Sequence, residues 1–266
     1  MTRAPIPNNE KHQQRKGELS AYNYYNSHLT PNSLWNRWLI DFRHYLRRHL
    51  AKRPKLYKPI LKYRYDHELT DINYDLLIEG YPRSGNSYLV EMLRLGARDL
   101  RILSHRHNPA YVLLALQHGR RVVVLIRNPI DAVASWVIYA KTDIYDALRY
   151  YTEYYRLIIP AIDQLLTINF NSLVGNPISV IRRIDQRYKI GIDFEALQER
   201  DRCEGIVRAR IQSRGWGEGP DQVSLPHSER SEKQEFVQRQ LLRPRFAKLL
   251  SAAEEIYARM YNPGDR

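Results

Sequence analysis

Short apolar runs alternate with helix-like segments from Tyr74 onward, and this alternation constrains the fold more than any other feature of the chain. The runs predict β-strands at residues 76–79, 101–103, 122–126 and 167–170. Strands that alternate with helices are typical of a parallel sheet covered by helices on both faces. We therefore expect one α/β domain over residues 71–266, preceded by an arm over residues 1–70.

The segments between the predicted strands have the apolar periodicity of helices. They predict helices at 87–97, 142–166, 177–188 and 232–260. A further helix is expected after Arg127, because Asn128 suits its N-cap and Pro129 its first turn. Residues 214–227 are rich in glycine and proline and predict an irregular loop.

The arm begins with a polar lead-in over residues 1–30 and continues into a predicted helix with Ser33 as its N-cap. Seven residues at helical spacing form what we call the aromatic stripe: Trp35, Trp38, Leu39, Phe42, Tyr45, Leu46 and His49. Two interpretations stay open. The stripe docks on the domain and leaves the arginines in solvent, or the basic helix lies on a membrane or an acidic polymer. We favour docking of the stripe.

The 266-residue chain carries 42 Lys and Arg against 29 Asp and Glu, a formal net charge of +13. Residues 36–64 hold ten Lys or Arg and one acid, so this basic stretch carries +9 of that total. Such a balance favours anionic partners. The lone cysteine, Cys203, excludes an internal disulfide, and neither a signal peptide nor an apolar run of membrane-spanning length is evident. We expect a cytoplasmic protein.

Residues 80–87 lie between a predicted strand and a predicted helix and include Gly80 and Gly85. Such a turn points backbone N–H groups and a helix N-terminus at one place, which makes an anion site. A nucleotide triphosphatase needs a lysine where Asn86 stands, and an acid at a strand end where Arg127 stands. Arg83 supplies a cation inside the loop. The pattern favours a phosphate ester bound without a metal.

The segment 81–89, YPRSGNSYL, resembles the 5′-phosphosulfate loop of sulfotransferases that use 3′-phosphoadenosine 5′-phosphosulfate (PAPS). The segment 122–136, VVVLIRNPIDAVASW, resembles the 3′-phosphate motif of the same family. The resemblance implies a P-loop-type α/β domain that binds PAPS and releases adenosine 3′,5′-bisphosphate, with no metal. The cofactor-binding residues it implies are Arg83, Ser84, Gly85, Asn86, Ser87, Tyr88, Arg127 and Ser135.

The resemblance extends to residues 101–116, where the family has a hydroxyl residue and a histidine after a short strand. Ser104 and His105 fall on that pair. His105 is then the general base and Arg83 its catalytic partner at the leaving group, while His107 is the rival for the base. Arg214 and Gly215 are weaker candidates for a loop over the 3′ phosphate, because the family's lysine is missing there.

The resemblance implies transfer of a sulfuryl group from PAPS to a hydroxyl or amine of a glycan, a lipid or a small molecule. The sequence identifies neither this acceptor nor the oligomeric state. Tyrosines between 139 and 155 are expected to pack a helix onto the domain rather than line an acceptor cleft. The basic arm favours an anionic glycan or lipid, with peripheral membrane contact through residues 33–64, and nothing in it resembles a nucleic-acid motif. Two other functions stay open: a metal-dependent P-loop kinase or NTPase, and a non-catalytic polyanion-binding protein.

Overall fold

A computed structural model describes residues 33–51, 74–197, 200–213 and 228–261 of the chain. The predictions for the lead-in, for the basic stretch beyond residue 51, and for the loop over residues 214–227 lie outside the described residues. So do the two candidates Arg214 and Gly215.

The described residues form a sheet of four parallel strands in the order β2-β1-β3-β4. The strands are β1 (Leu76–Gly80), β2 (Ile102–Ser104), β3 (Arg121–Ile126) and β4 (Leu166–Asn169). The predicted α/β class with a parallel sheet is confirmed, and each predicted strand is present. The strand predicted at residues 167–170 ends at Asn169, one residue before the predicted end. Asn169 accepts a hydrogen bond from the Asn171 N–H and caps a helix that begins at Phe170.

One described helix precedes the strands in the chain, and the others lie between the strands or after the last of them. In chain order they are α1 (Leu34–Ala51), α2 (Asn86–Gly96), α3 (Pro109–Gln117), α4 (Pro129–Ala140), α5 (Ile144–Ile158), α6 (Phe170–Gly175), α7 (Pro177–Tyr188), α8 (Arg200–Ser213), α9 (Ser228–Leu241) and α10 (Ala247–Met260). None of these helices is long and apolar enough to cross a membrane.

Two apolar clusters lie on opposite faces of the sheet, because successive strand residues point to opposite sides. Val122 and Val124 join a cluster with α3, α4, α5, α9 and α10, whereas Val123 and Leu125 join one with α2 and α7. The strands are therefore covered on both sides, which explains their nearly uninterrupted apolar sequences.

Two predicted helices are shorter in the structure, and a proline stands at each break. The helix predicted to residue 166 ends at Ile158 and continues as a 3-10 turn that contains Pro160. The tail predicted as one helix is divided into α9 and α10 by a 3-10 turn that begins at Pro244. Proline lacks the N–H that would continue the helical hydrogen bonds.

Helix α1 packs on α5 and α3, but with the face opposite to the one we favoured. His44 is completely buried and its Nε2 lies 2.8 Å from Asp146 Oδ1, while the Tyr145 hydroxyl donates to Asp41 at 2.8 Å. The aromatic stripe points away from the domain. Docking of the stripe was thus the wrong interpretation: α5 presents a tyrosine hydroxyl and a carboxylate here, and these groups pair with polar side chains.

The carboxylate of Asp146 is the main polar anchor of α1. Burial alone would raise its pKa, but hydrogen bonds from His44 and Arg43 together hold the pKa well below its usual range. We expect Asp146→Asn to lower the free energy of local opening of α1 by roughly 2 kcal/mol, the size of a charge-assisted hydrogen bond. Hydrogen exchange of the amides in Leu34–Ala51 measures this. Asp163→Asn, at an exposed acid, is the control; unchanged protection in Asp146→Asn would contradict the anchor.

Candidate active site

The carboxyl ends of the four parallel strands meet at one edge of the sheet. The chain passes from β1 outward to β2 and then returns to β3 on the other side of β1, so the loops after β1 and β3 diverge. Open α/β sheets bind their ligands at such a divergence. Arg83, His105 and Arg127 all lie in loops at this edge.

The loop after β1 depends on two glycines. A Cβ on Gly80 would lie 2.5 Å from the carbonyl oxygen of Leu125 on β3, so no side chain fits there. Gly85 has a φ of +100° and caps the N-terminus of α2. Arg83, between them, has a φ of +68°, a conformation that non-glycine residues rarely adopt and that clusters at functional loops.

Arg83, Ser135 and Arg127, which the resemblance assigns to two separate motifs, are in direct contact. Arg83 Nε donates to Ser135 Oγ at 3.1 Å, and Arg127 Nη1 donates to the Arg83 carbonyl oxygen at 3.0 Å. Ser135 is buried on α4, whose N-terminus is capped by Asn128 directly after Arg127. The loop after β1 and the loop after β3 thus form one cluster of donors beside two helix N-termini.

Arg230 on α9 is a third cation at this place, and no pattern in the sequence predicted it. It is 7% exposed, and its positive charge acts on both Arg83 and Arg127. Helix α9 reaches the site by packing along α4, where Gln238 Nε2 donates to Asp131 Oδ1 at 2.8 Å. No spacing or motif distinguishes Arg230 among the chain's 42 Lys and Arg, so the sequence held no signal for it.

The arginine cluster is electropositive and shielded from solvent. Burial, and then the charges of Arg230 and Arg127, lower the pKa of Arg83 to about 10, so its guanidinium stays charged at neutral pH. Burial is also the main cause of the lowered pKa of Arg127. Adjacent positive charges in a partly desolvated place are costly, and an anion bound between them would offset that cost.

Buried polar atoms near the loop fit an anionic ligand. Asn86 is 4% exposed, and neither its Nδ2 nor its Oδ1 has a hydrogen-bond partner within the part of the chain that the structure describes. The same holds for Arg127 Nε. Buried polar groups are normally paired, so these atoms indicate a missing partner. An oxygen-rich group such as a phosphate or sulfate ester could accept from Asn86 Nδ2 and from Arg127 Nε, whereas Asn86 Oδ1 needs a donor.

His105 and His107 differ in their surroundings, and this separates the two candidates for the base. His105 Nε2 lies 3.0 Å from the hydroxyl of Ser87, in the first turn of α2. His107 is held by the backbone instead: its Nδ1 lies 2.9 Å from the Gly80 carbonyl oxygen, so Nδ1 carries the proton. Burial lowers the pKa of His107. His105 therefore faces the donor cluster, while His107 supports the loop.

Glu79, at the end of β1, holds the loop that carries both histidines. Its carboxyl group is completely buried and accepts from the Arg106 N–H at 2.7 Å and the His107 N–H at 2.8 Å. Burial, only partly opposed by these hydrogen bonds, raises the pKa of Glu79 to about 8. Its signal in the sequence is a single acid inside an apolar strand.

Three tyrosines on α5 fix the three loops of the site. Tyr155 donates to the Leu125 carbonyl oxygen at 2.7 Å and accepts from the Tyr81 N–H at 3.1 Å. Tyr151 donates to the Arg127 carbonyl oxygen at 2.7 Å, and Tyr150 donates to that of His107. Tyr151 and Tyr155 are fully buried, which confirms that tyrosines of this segment pack α5 onto the domain.

The remaining candidates have less specific surroundings. Ser84 is fully buried beneath the loop, near the hydroxyl of Tyr155. Tyr88 packs against the apolar cluster of α2 and α7. Ser104 ends β2, and its Oγ is buried without a hydrogen-bond partner among the described residues. Within the described ranges, no group of three or more His, Cys, Asp or Glu is placed to hold a metal ion.

Comparison with known proteins finds no protein-family model and no curated protein that matches the chain. The site itself consists of three arginines, two helix N-termini and a histidine at the edge of a parallel sheet.

The raised pKa of Glu79 predicts how the stability of the fold varies with pH. The folded protein binds the Glu79 proton more tightly than the unfolded chain, so its contribution to the free energy of unfolding falls as pH rises from about 4.5 to about 8. Relative to Glu79→Gln, the wild type should lose up to roughly 1.4 kcal/mol per pH unit within this window.

Urea unfolding of both proteins at matched pH measures the difference. Other titrating groups cancel in the comparison, because the two chains differ at one residue. Glu79→Gln also replaces one of the two accepting oxygens by an NH₂ group, which cannot accept from a backbone N–H. This lowers the free energy of unfolding of the variant by an amount independent of pH. Parallel curves between pH 5 and pH 8 would contradict a raised pKa.

Proposed function

We propose that the chain is a PAPS-dependent sulfotransferase with a P-loop-type domain, which transfers a sulfuryl group to a hydroxyl or amine of an acceptor. The observation that supports this most is the direct contact of Arg83 with Ser135 and of Arg127 with the Arg83 backbone. Because of these contacts, the two segments that resemble the 5′-phosphosulfate and 3′-phosphate motifs share one site rather than lying apart.

The donor nucleotide would be held by residues whose buried polar atoms fit an anion. Arg127, with Ser135 and the α4 N-terminus, would bind the 3′ phosphate, and Arg230 adds charge on the same side. Gly85, Asn86 and Ser87, at the start of α2, would bind the 5′ phosphosulfate. The fixed donors would stabilise charge that develops on the leaving phosphate oxygen.

PAPS supplies an activated sulfuryl group: the acceptor oxygen or nitrogen bonds to sulfur, and the bond from sulfur to the phosphate oxygen breaks. His105 would take the proton from the acceptor, since its imidazole lies at the same edge as the start of α2. Arg83 would balance the negative charge that the bisphosphate product gains. Glu79 positions His105 through the backbone of the following residue.

Titration calorimetry with adenosine 3′,5′-bisphosphate tests the nucleotide site. We expect micromolar binding, and both Arg127→Ala and Arg230→Ala should weaken it by roughly 10- to 100-fold, the value of a charge-assisted contact to phosphate. Arg121→Ala is the matched control, because Arg121 lies on the same strand as the Arg127 loop but at its opposite, exposed end. Its affinity should equal that of the wild type.

The same titrations with ATP and Mg²⁺ separate the rival functions. Tight, magnesium-dependent ATP binding with weak bisphosphate binding would favour a kinase or NTPase. Binding of heparin that survives Arg127→Ala would favour a polyanion-binding protein. No bisphosphate binding by the folded wild type would overturn the sulfotransferase proposal.

His105→Ala tests the base separately from the nucleotide site. Transfer of labelled sulfate from PAPS to 2-naphthol or to glucosamine measures turnover with one hydroxyl and one amine acceptor. Where the wild type shows turnover, the variant's kcat should fall roughly 100-fold or more, while its affinity for the bisphosphate stays the same. His118→Ala, at an exposed histidine after α3, is the control. Full activity in His105→Ala would remove His105 from the mechanism.

A further inference from the structure

The aromatic stripe of α1 forms an apolar surface that points away from the domain. Trp35 is 65% exposed, Trp38 is 52% exposed and Phe42 is 44% exposed. Their rings stack in a row, with centroids 5.1 Å apart between the two tryptophans and 5.3 Å apart between Trp38 and Phe42. Large aromatic rings that are adjacent and exposed on one helix face mark an interaction surface.

The opposite face of α1 fixes this orientation. Ile40 and Leu50 pack against the domain core, His44 is completely buried on Asp146, and Arg37 lies over the ring of Tyr145 with its Cζ 4.5 Å from the ring centroid. Rotation of the helix to bury the stripe would break these polar contacts. The stripe is therefore presented outward by a helix that is itself held on the domain.

The sequence that follows α1 indicates what the stripe contacts. Arg37 and Arg43 of α1 face the domain, whereas residues 52–64, the part of the basic stretch that comes after α1 in the chain, hold six Lys or Arg and no acid. A second copy of the chain would bring an equally basic segment, so self-association through this surface is disfavoured. A bilayer that contains anionic lipid offers what both features need, negative headgroups for Lys and Arg and an apolar interior for aromatic rings.

We propose that α1 is an interfacial membrane-binding helix, which lies parallel to an anionic bilayer with the aromatic stripe inserted among the headgroups. Tryptophan and tyrosine favour this depth, because their rings are apolar with one polar edge. The six Lys and Arg of residues 52–64 add electrostatic attraction for the anionic lipids. The inference does not depend on the proposed transferase activity, since none of its residues belongs to the nucleotide site.

Vesicle sedimentation with the full chain tests the proposal. The vesicles contain phosphatidylcholine alone, or phosphatidylcholine with about a third phosphatidylserine, a fraction at which polybasic segments bind. We expect binding to the mixed vesicles only. Trp38→Ser combined with Phe42→Ser should reduce partitioning roughly tenfold or more. Leu242→Ser is the control, because Leu242 is 63% exposed but lies after α9, far from α1 in the chain.

Three further measurements decide between outcomes. Brominated lipids should quench tryptophan fluorescence of the wild type much more than that of the double variant, as insertion requires. A triple variant should bind the mixed vesicles more weakly and leave binding to the neutral vesicles unchanged; its substitutions are Lys52→Gln, Lys55→Gln and Lys58→Gln. Light scattering that shows a dimer which the double variant dissociates would assign the stripe to a second copy and overturn the proposal.

Equal sedimentation of the wild type and the double variant would also overturn it. The double variant should fold, since both side chains are exposed, and unchanged affinity for adenosine 3′,5′-bisphosphate would verify this where the wild type binds that nucleotide. If the wild type does not bind that nucleotide, circular dichroism verifies the fold of the double variant instead. Failure of the nucleotide titration and failure of the vesicle assay are thus separate results.

Discussion

The hydroxyl groups of three tyrosines on α5 hold the loops after β1, β2 and β3 in register with one another. Backbone groups in a buried loop must be paired, and here Tyr155, Tyr151 and Tyr150 supply partners that the sheet cannot. Arg83, His105 and Arg127 keep their relative positions because these loops are anchored to one rigid helix. The geometry of the site therefore depends on α5 as much as on the strands.

The arginine cluster shows how the fold tolerates a concentration of like charge. The guanidinium of Arg127 lies over the ring of Phe170, with its Cζ 4.3 Å from the centroid, and that of Arg83 lies 5.1 Å from the centroid of Tyr139. The negative faces of the rings partly replace the water that burial removes. Unlike an acid partner, such stacking leaves the cluster with a net positive charge for an anion.

The sequence predicted the parts of the fold that depend on local patterns. Apolar runs located all four strands, and the Asn128–Pro129 pair located the start of α4. It also predicted that Arg83, Ser135 and Arg127 share a site, although only through resemblance to a known family. Their actual contact depends on the parallel pairing of β1 with β3, which no local pattern encodes.

The parts that sequence missed depend on tertiary packing. The face of α1 that meets the domain was decided by Tyr145 and Asp146 on α5, about a hundred residues away in the chain, and not by the apolar content of α1 itself. Arg230 belongs to the site only because α9 packs along α4. Glu79 was visible as an acid in an apolar strand, but its partners on the loop after β2 were not.

The distance of Arg230 along the chain has a consequence for how the protein is made. Strands β1 to β4 and the loops that carry Arg83 and Arg127 are complete by residue 169, whereas α9 begins at Ser228. During synthesis from the N-terminus, the sheet and its tyrosine anchors can form before the third arginine has been added. A ribosome-bound chain that has not reached Ser228 therefore holds all four strands but one positive charge fewer for their shared edge. Full attraction for a polyanion, including the surrounding ribosomal RNA, develops at this edge only once α9 has been added.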